Sequence, residues 1–278
     1  MTIETLAFLV GCPRSGTTLL QSLLASHSQI ASFPETQFFH HMLRRGYKQG
    51  EAGFGLVSRN LKPRLEKFFR EDLDRPELIR RLPKIPLRGY YTRKFIKILK
   101  ELAEEQGGTI LLEKTPDHVY CIKYIEQYLP RSKFIHLIRN GTDVVASLYE
   151  VTHNYPEPWG GAKSIDTCIM DWLLAIRASQ QYRGRPNHLI VRYEALVEKP
   201  EIVLGLICEF LNIEFEGKMI DDYAKKADYI SFEEGGRTVN TRQINSHKSE
   251  KFFTIFTTQQ QAYIIDKLSV VNLEEISQ

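Results

Sequence analysis

Gly11 and Gly16 bracket four residues, Cys12-Pro13-Arg14-Ser15, and Thr17 and Thr18 follow directly. This is the spacing of the phosphate loop G-x-x-x-x-G-K-[ST], with threonine standing where the lysine belongs. A glycine-bounded loop that opens a helix presents unpaired backbone N–H groups and the positive end of the helix dipole, so the chemistry it suits is phosphate binding. Ordinary ATP or GTP hydrolysis needs a lysine on the β- and γ-phosphates, and its absence argues against that reaction. Arg14, inside the loop, supplies a cation from another direction.

Five further residues stand where a ligand could meet them. Glu35, in Pro34-Glu35-Thr36, follows the first strand–loop–helix unit closely, and in open α/β sheets ligands lie beyond the carboxyl ends of the strands. It either faces the phosphate loop or serves as the opening charge of a helix. Lys114 ends the apolar run Thr109–Leu112 with Glu113 and either points into that crevice or caps the strand in solvent. His118 is either a base or a hydrogen-bonded histidine at a helix start. Arg139 lies at the carboxyl end of Lys133–Ile138, and Ser147 falls in the helix behind it, where a packed small residue is the plainer reading.

The elements that must hold these residues read as alternating strands and helices. Leu6–Val10 is a strand and Thr17–Ser26 a helix. Ile30 opens a second strand. Lys133–Ile138 runs into an Asn-Gly turn with Thr142 as N-cap and Asp143 in the first turn. A helix spans Asp117–Tyr128, another spans Ile165–Gln181 with Trp172 in the core, and His188–Val191 is the last strand. Helical segments follow over Ala195–Leu211 and Lys218–Lys226, and Tyr155–Gly161 reads as a loop. Residues 44–108 carry helical apolar spacing with dense charge of both signs, a helical insertion whose charges solvate one face. The polar stretch Ser231–Lys251 has no periodicity and holds Arg237, Arg242, Lys248 and Lys251, as a lid or binding loop would. The expected architecture is α/β: a P-loop-like central parallel sheet flanked by helices, one domain over 1–278, with residues 44–108 capping the acceptor side.

Composition narrows the classes. A single domain of 278 residues would bury roughly 75% of its unfolded surface, enough for a sizeable core. A net charge of +3 with no basic run among aromatics gives nucleic acid no groove. No apolar run is long enough for a transmembrane helix, and the first residues lack the basic start of a signal peptide. The four cysteines form no C-x-x-C pair, which fits neither a metal site nor a disulfide framework and suits a reducing cytoplasm.

Taken together, PRSGTTLL at 13–20, FPET at 33–36, EKTP at 113–116, SKFIHLIRNGTDVVASLY at 132–149 and VRYEALV at 191–197 resemble the sulfotransferases that use 3′-phosphoadenosine 5′-phosphosulfate (PAPS). The resemblance implies an enzyme that moves a sulfuryl group to an acceptor hydroxyl without a metal and leaves adenosine 3′,5′-bisphosphate (PAP). Carried over by position, Arg14, Ser15, Gly16, Thr17 and Thr18 would hold the 5′-phosphosulfate, Arg139 and Ser147 the 3′-phosphate, and Tyr193 the nucleotide. Lys248, with Lys251 as rival, would be a late basic contact. Cytosolic members take a histidine base from a Lys-Thr-His motif, which is broken here because His118 comes four residues after Lys114. The protein-tyrosine and some bacterial branches use a glutamate shortly after the first helix, and Glu35 matches that placement. Arg14 and Lys114 would then stabilise the transferring oxygens. The acceptor is a small-molecule or carrier-bound hydroxyl whose identity the sequence does not fix. A P-loop kinase or NTPase, and a nucleotide-binding protein without catalysis, are the alternatives.

Overall fold

The computed structural model describes residues 2–43, 55–230 and 250–276. Five strands form one sheet in the order β2-β3-β1-β4-β5, and each neighbouring pair is parallel. The strands are β1 (Thr5–Gly11), β2 (Ile30–Ser32), β3 (Ile110–Lys114), β4 (Lys133–Ile138) and β5 (His188–Arg192). Strands β1, β2 and β3 are buried nearly throughout, as expected of a parallel sheet covered by helices on both faces.

Strand periodicity divides the core in two. From β1, Leu6, Phe8 and Val10 join one cluster, and Ala7 and Leu9 join the other. The Ala7 side packs on α1 (Thr17–Ala25), α9 (Tyr193–Glu198), α10 (Pro200–Leu211), α11 (Lys218–Asp221) and α12 (Tyr223–Ile230), through residues such as Leu20, Leu196, Leu204, Met219 and Tyr223. The Phe8 side is covered by α2 (Phe38–Met42), α3 (Leu61–Lys67), α4 (Arg88–Glu105), α5 (Ile122–Tyr128), α6 (Gly141–Asn154) and α8 (Ile165–Gln180). The short α7 (Pro156–Trp159) and the C-terminal α13 (Lys251–Ile255) and α14 (Thr258–Leu268) complete the set. Trp172 is buried in the larger cluster and its indole N–H donates to the carbonyl of Arg139 at 2.9 Å.

Several boundaries differ from the sequence reading for local reasons. The N-cap of α6 is Asn140 rather than Thr142: its side chain accepts from the backbone N–H of Thr142 at 3.0 Å and leaves Thr142 inside the first turn. The helix expected over Asp117–Tyr128 begins as a 3₁₀ turn, Pro116–Tyr120, because the N–H of Cys121 bonds the carbonyl of His118 three residues back. Pro200 disfavours helical geometry at Lys199 and splits the stretch expected over Ala195–Leu211 into α9 and α10. The expected Lys218–Lys226 segment is likewise two helices, α11 and α12, and Tyr155–Gly161 contains the short α7.

Within residues 44–108, the described part is mostly helical: α3, a π-helical turn over Phe68–Asp72, a 3₁₀ turn over Pro76–Arg81, and α4. A stacked pair, Phe38 on Phe95 at 4.1 Å between ring centroids, ties α4 to the start of α2. Among the described residues no helix is long and apolar enough to cross a membrane.

Candidate active site

The carboxyl ends of all five strands bring the candidate residues to one edge of the sheet. The loop after β1 leads into α1, Glu35 follows β2, Lys114 ends β3, Arg139 follows β4, and Tyr193 follows β5. The strand order puts β3 and β4 on either side of β1, so Lys114 and Arg139 flank the loop from opposite sides.

The loop itself is shaped by two residues in the left-handed region, Arg14 at φ 72° and Gly16 at φ 93°. No side chain caps α1, so the first N–H groups of that helix lack the partner a cap would give them. Ser15 is 1% exposed and its hydroxyl has no hydrogen-bond partner. Gly16 is required twice over: its φ is one that glycine alone adopts at no cost, and a Cβ there would fall on Cδ2 and Cε2 of Tyr193. Thr17 is buried, and Thr18 faces across to Lys114. Cys12 is also buried, and burial first, then Asp171 and Asp117, push its thiol well above the ordinary cysteine range, which removes it as a nucleophile.

Lys114 joins the loop to the acid. Its ammonium donates to Oε1 of Glu35 at 2.6 Å and to Oγ1 of Thr18 at 3.4 Å. The lysine side chain is 2% exposed and the glutamate 15%. On the other side of the loop, Nε of Arg14 donates to Oγ of Ser147 at 3.1 Å, which brings a residue of α6 to the phosphate loop. The Arg139 guanidinium lies over the Tyr193 ring at 4.2 Å and reaches Asp143 at 3.4 Å, while its Nε is buried without a hydrogen-bond partner. Burial raises the Asp143 carboxyl, and Arg139 beside it acts in the opposite direction.

His118 lies elsewhere in the network. It is fully buried; its Nδ1 contacts Oε2 of Glu113 at 2.8 Å and its Nε2 accepts the N–H of Phe39 at 3.2 Å. The accepting Nε2 leaves the proton on Nδ1, which donates to Glu113. That glutamate, not singled out from the sequence, also accepts from Thr36 at 2.7 Å and Thr115 at 2.8 Å. Burial alone would raise its carboxyl, but His118 and the two hydroxyls outweigh burial and leave it below the usual range. Its alternation with Lys114 at the end of β3 was the available signal: adjacent strand residues point to opposite faces, so only one of the two could meet the loop. Lys248, Arg237 and Arg242 lie outside the described residues; Lys251 opens α13 and pairs with Glu150 of α6.

The model of the sulfotransferase family matches residues 7–217, well over half of the chain. The chain belongs to the sulfotransferase family. Among relatives, the nodulation protein NoeE of Sinorhizobium fredii is 23% identical over 99% of this chain and 66% of its own length. Protein-tyrosine sulfotransferase A of Caenorhabditis elegans is 25% identical over 77% of this chain and 51% of its own length. The chain thus spans less than two thirds of these relatives. Solved structures share the fold: the sulfotransferase domain from the curacin biosynthetic pathway aligns with a TM-score of 0.64 and 20% identity over 97% of this chain and 99% of that domain. Mouse sulfotransferase SULT7A1, solved with PAP, aligns with a TM-score of 0.52 and 15% identity over 95% of this chain and 83% of its own.

Proposed function

We propose that this sulfotransferase-family chain transfers the sulfuryl group of PAPS to an acceptor hydroxyl, with Glu35 as general base. The observation that carries the reading is Lys114, whose buried ammonium bonds Glu35 on one side and Thr18 of the phosphate loop on the other. It places an acid, a cation and an anion cradle within one hydrogen-bond chain.

The cradle fits a nucleotide with phosphate at both ends. The unpartnered hydroxyl of Ser15 and the uncapped start of α1 suit the 5′ end. The orphaned Nε of Arg139 and the Arg14–Ser147 pair suit a second phosphate, and the Tyr193 ring beside Gly16 suits the base or ribose. When bound, PAPS would supply the activated sulfuryl group.

The side chains then divide the work. Glu35 accepts the proton of the acceptor hydroxyl at its carboxylate. The Lys114 ammonium, already between base and loop, neutralises charge that grows toward the loop, and Arg14 does so from the far side, in a site sheltered enough to strengthen both contacts. Little covalent work falls to the protein, as in phosphoryl transfer, so positioning dominates. His118 is set apart from this role because both of its nitrogens are engaged away from the loop.

The test is donor selectivity. PAP should bind well and ATP poorly by calorimetry, and Arg139→Ala should erase the preference. Equal affinity of the wild-type protein for the two nucleotides would refute the donor assignment and favour a kinase or NTPase.

A further inference from the structure

The glutamate assigned as base sits on a short segment, Phe33–Gln37, with no helix or strand of its own. Side chains from β3 and the turn after it hold its downstream half. Thr36 Oγ1 donates to Glu113, the N–H of Gln37 donates to Thr115 Oγ1 at 3.1 Å, and the N–H of Phe39 donates to His118. The carbonyls of Glu35 and Thr36 are both taken by one side chain. Arg64 of α3 donates through Nη2 to the carbonyl of Glu35 and through Nε to that of Thr36 at 3.2 Å. The same guanidinium pairs with Asp72 at 2.8 Å, and the two side chains are only 12% and 6% exposed.

That pairing depends on an irregular turn. On a continuous α-helix two residues eight apart would be about 80° out of line around the axis. Here α3 passes into a π-helical turn at Phe68–Asp72, closed by the N–H of Leu73 on the carbonyl of Phe68 at 3.0 Å. An i→i+5 turn winds less per residue, and such turns cluster at functional sites; this one swings Asp72 back toward Arg64. Phe68 also lies under the guanidinium at 5.8 Å. A planar fork with donors on several edges can take two carbonyls and a carboxylate at once, which an ammonium on a flexible stem cannot do.

We infer that Arg64 and Asp72, both contributed by the segment between β2 and β3, are positioning residues that fix the backbone of Glu35 and hence the aim of its carboxylate. This rests on the reading of Glu35 as the base. The pair does not touch the donor loop, so its effect should fall on turnover rather than on nucleotide binding. Aim is worth a great deal: a displacement of about 1 Å can cost roughly a hundredfold in rate.

The test uses Arg64→Met, which keeps an unbranched stem over Phe68 and removes the fork, and Asp72→Asn, which leaves the fork without its counter-charge. Turnover is followed with labelled PAPS against a panel of phenols and alcohols, and PAP binding by calorimetry. Arg64→Met should lower kcat by about ten- to a hundredfold with PAP affinity within about twofold of wild type, and Asp72→Asn should lower it less. In a Glu35→Gln background Arg64→Met should cost almost nothing more, because residues acting through one group are non-additive. An equal cost in both backgrounds, or wild-type turnover in Arg64→Met, overturns the inference and leaves Arg64 a structural support. Full turnover in Glu35→Gln alone overturns the base assignment and the clamp together. Should no member of the panel be sulfated, amide hydrogen exchange decides. Arg64→Met must speed exchange across residues 34–39 without changing residues 12–20, and unchanged exchange across 34–39 counts against it.

Discussion

Replacing Gly16 with alanine probes the contact that joins the phosphate loop to the start of α9. Two costs are separable. The first is backbone: an L-residue at φ 93° pays about 1–3 kcal/mol for a left-handed conformation. The second is steric, since the new methyl would lie on two carbons of the Tyr193 ring, far inside the roughly 3.5–4.0 Å of normal carbon contact. Tyr193 must therefore move, and with it goes the Arg139 guanidinium stacked on its face, a contact worth about 0.5–2 kcal/mol. Gly107 provides the control, because it has φ 79° and open space around a Cβ; Gly107→Ala pays the backbone cost alone. For a chain of this size each 1 kcal/mol moves Tm by about 2–4 °C, so Gly107→Ala should lower Tm by a few degrees and Gly16→Ala by roughly twice as much. PAP affinity, read by calorimetry, should fall at least about tenfold, or 1.4 kcal/mol, in Gly16→Ala and stay at wild type in Gly107→Ala. In a Tyr193→Ala background, Gly16→Ala should cost no more than the control. If the two alanine variants match in both Tm and PAP affinity, the ring contact is not what the glycine protects.

Two other outcomes follow from the site and the core. Glu35→Gln should cut turnover by about a hundredfold or more, the usual weight of a general base, with PAP binding near normal; retained turnover would remove the residue from that role. Acid stability should report His136, buried in β4 between Ser179 at 3.1 Å and His188 at 2.9 Å. Burial, with His188 adding to it, lowers His136 to about 3. Because the unfolded chain takes its proton near pH 6.5 and the folded chain does not, stability is complete above about 6.5 and is lost as pH falls toward 3, by up to about 1.4 kcal/mol per unit. Urea midpoints at pH 7, 6 and 5 should show this loss, and His136→Leu should reduce it, leaving the share of His188, which burial also lowers; an equal slope in the variant would assign the loss to other groups.

Much of this architecture is visible in the chain before any coordinates are. The phosphate loop stands out because an apolar strand breaks at a glycine and resumes at helical spacing, and Lys133–Ile138 has the bounds of β4 because its apolar residues stop just before Asn140, the N-cap of α6. Ser147 shows where such reading stops. Its type and helical phase suit a packed face equally well, and only the path of Arg14 through a left-handed turn brings a guanidinium to its hydroxyl. Arg64 and Asp72 are still less legible. They lie in a segment dense with charges of both signs, most of them solvated, and the partners of Arg64 include two backbone carbonyls, which leave no mark on residue type. The π-turn that aligns the pair has no compositional signature either. Glu113 is illegible for a related reason: a carboxylate beside Lys114 looks like half of a surface pair, and only the fold converges three donors on it.

The position of α3 bears on how such proteins could be re-engineered. One route is cassette exchange, in which the whole stretch between β2 and β3 is replaced by that of another family member while the sheet and the loop after β1 are kept. Here that stretch also carries the bracket for Glu35, so a transplant that lacks an arginine and acid in this relation should yield a chimera that folds, retains nucleotide and turns over slowly on every acceptor offered. Grafts should therefore begin after Asp72, leaving α3 and its irregular turn with the recipient.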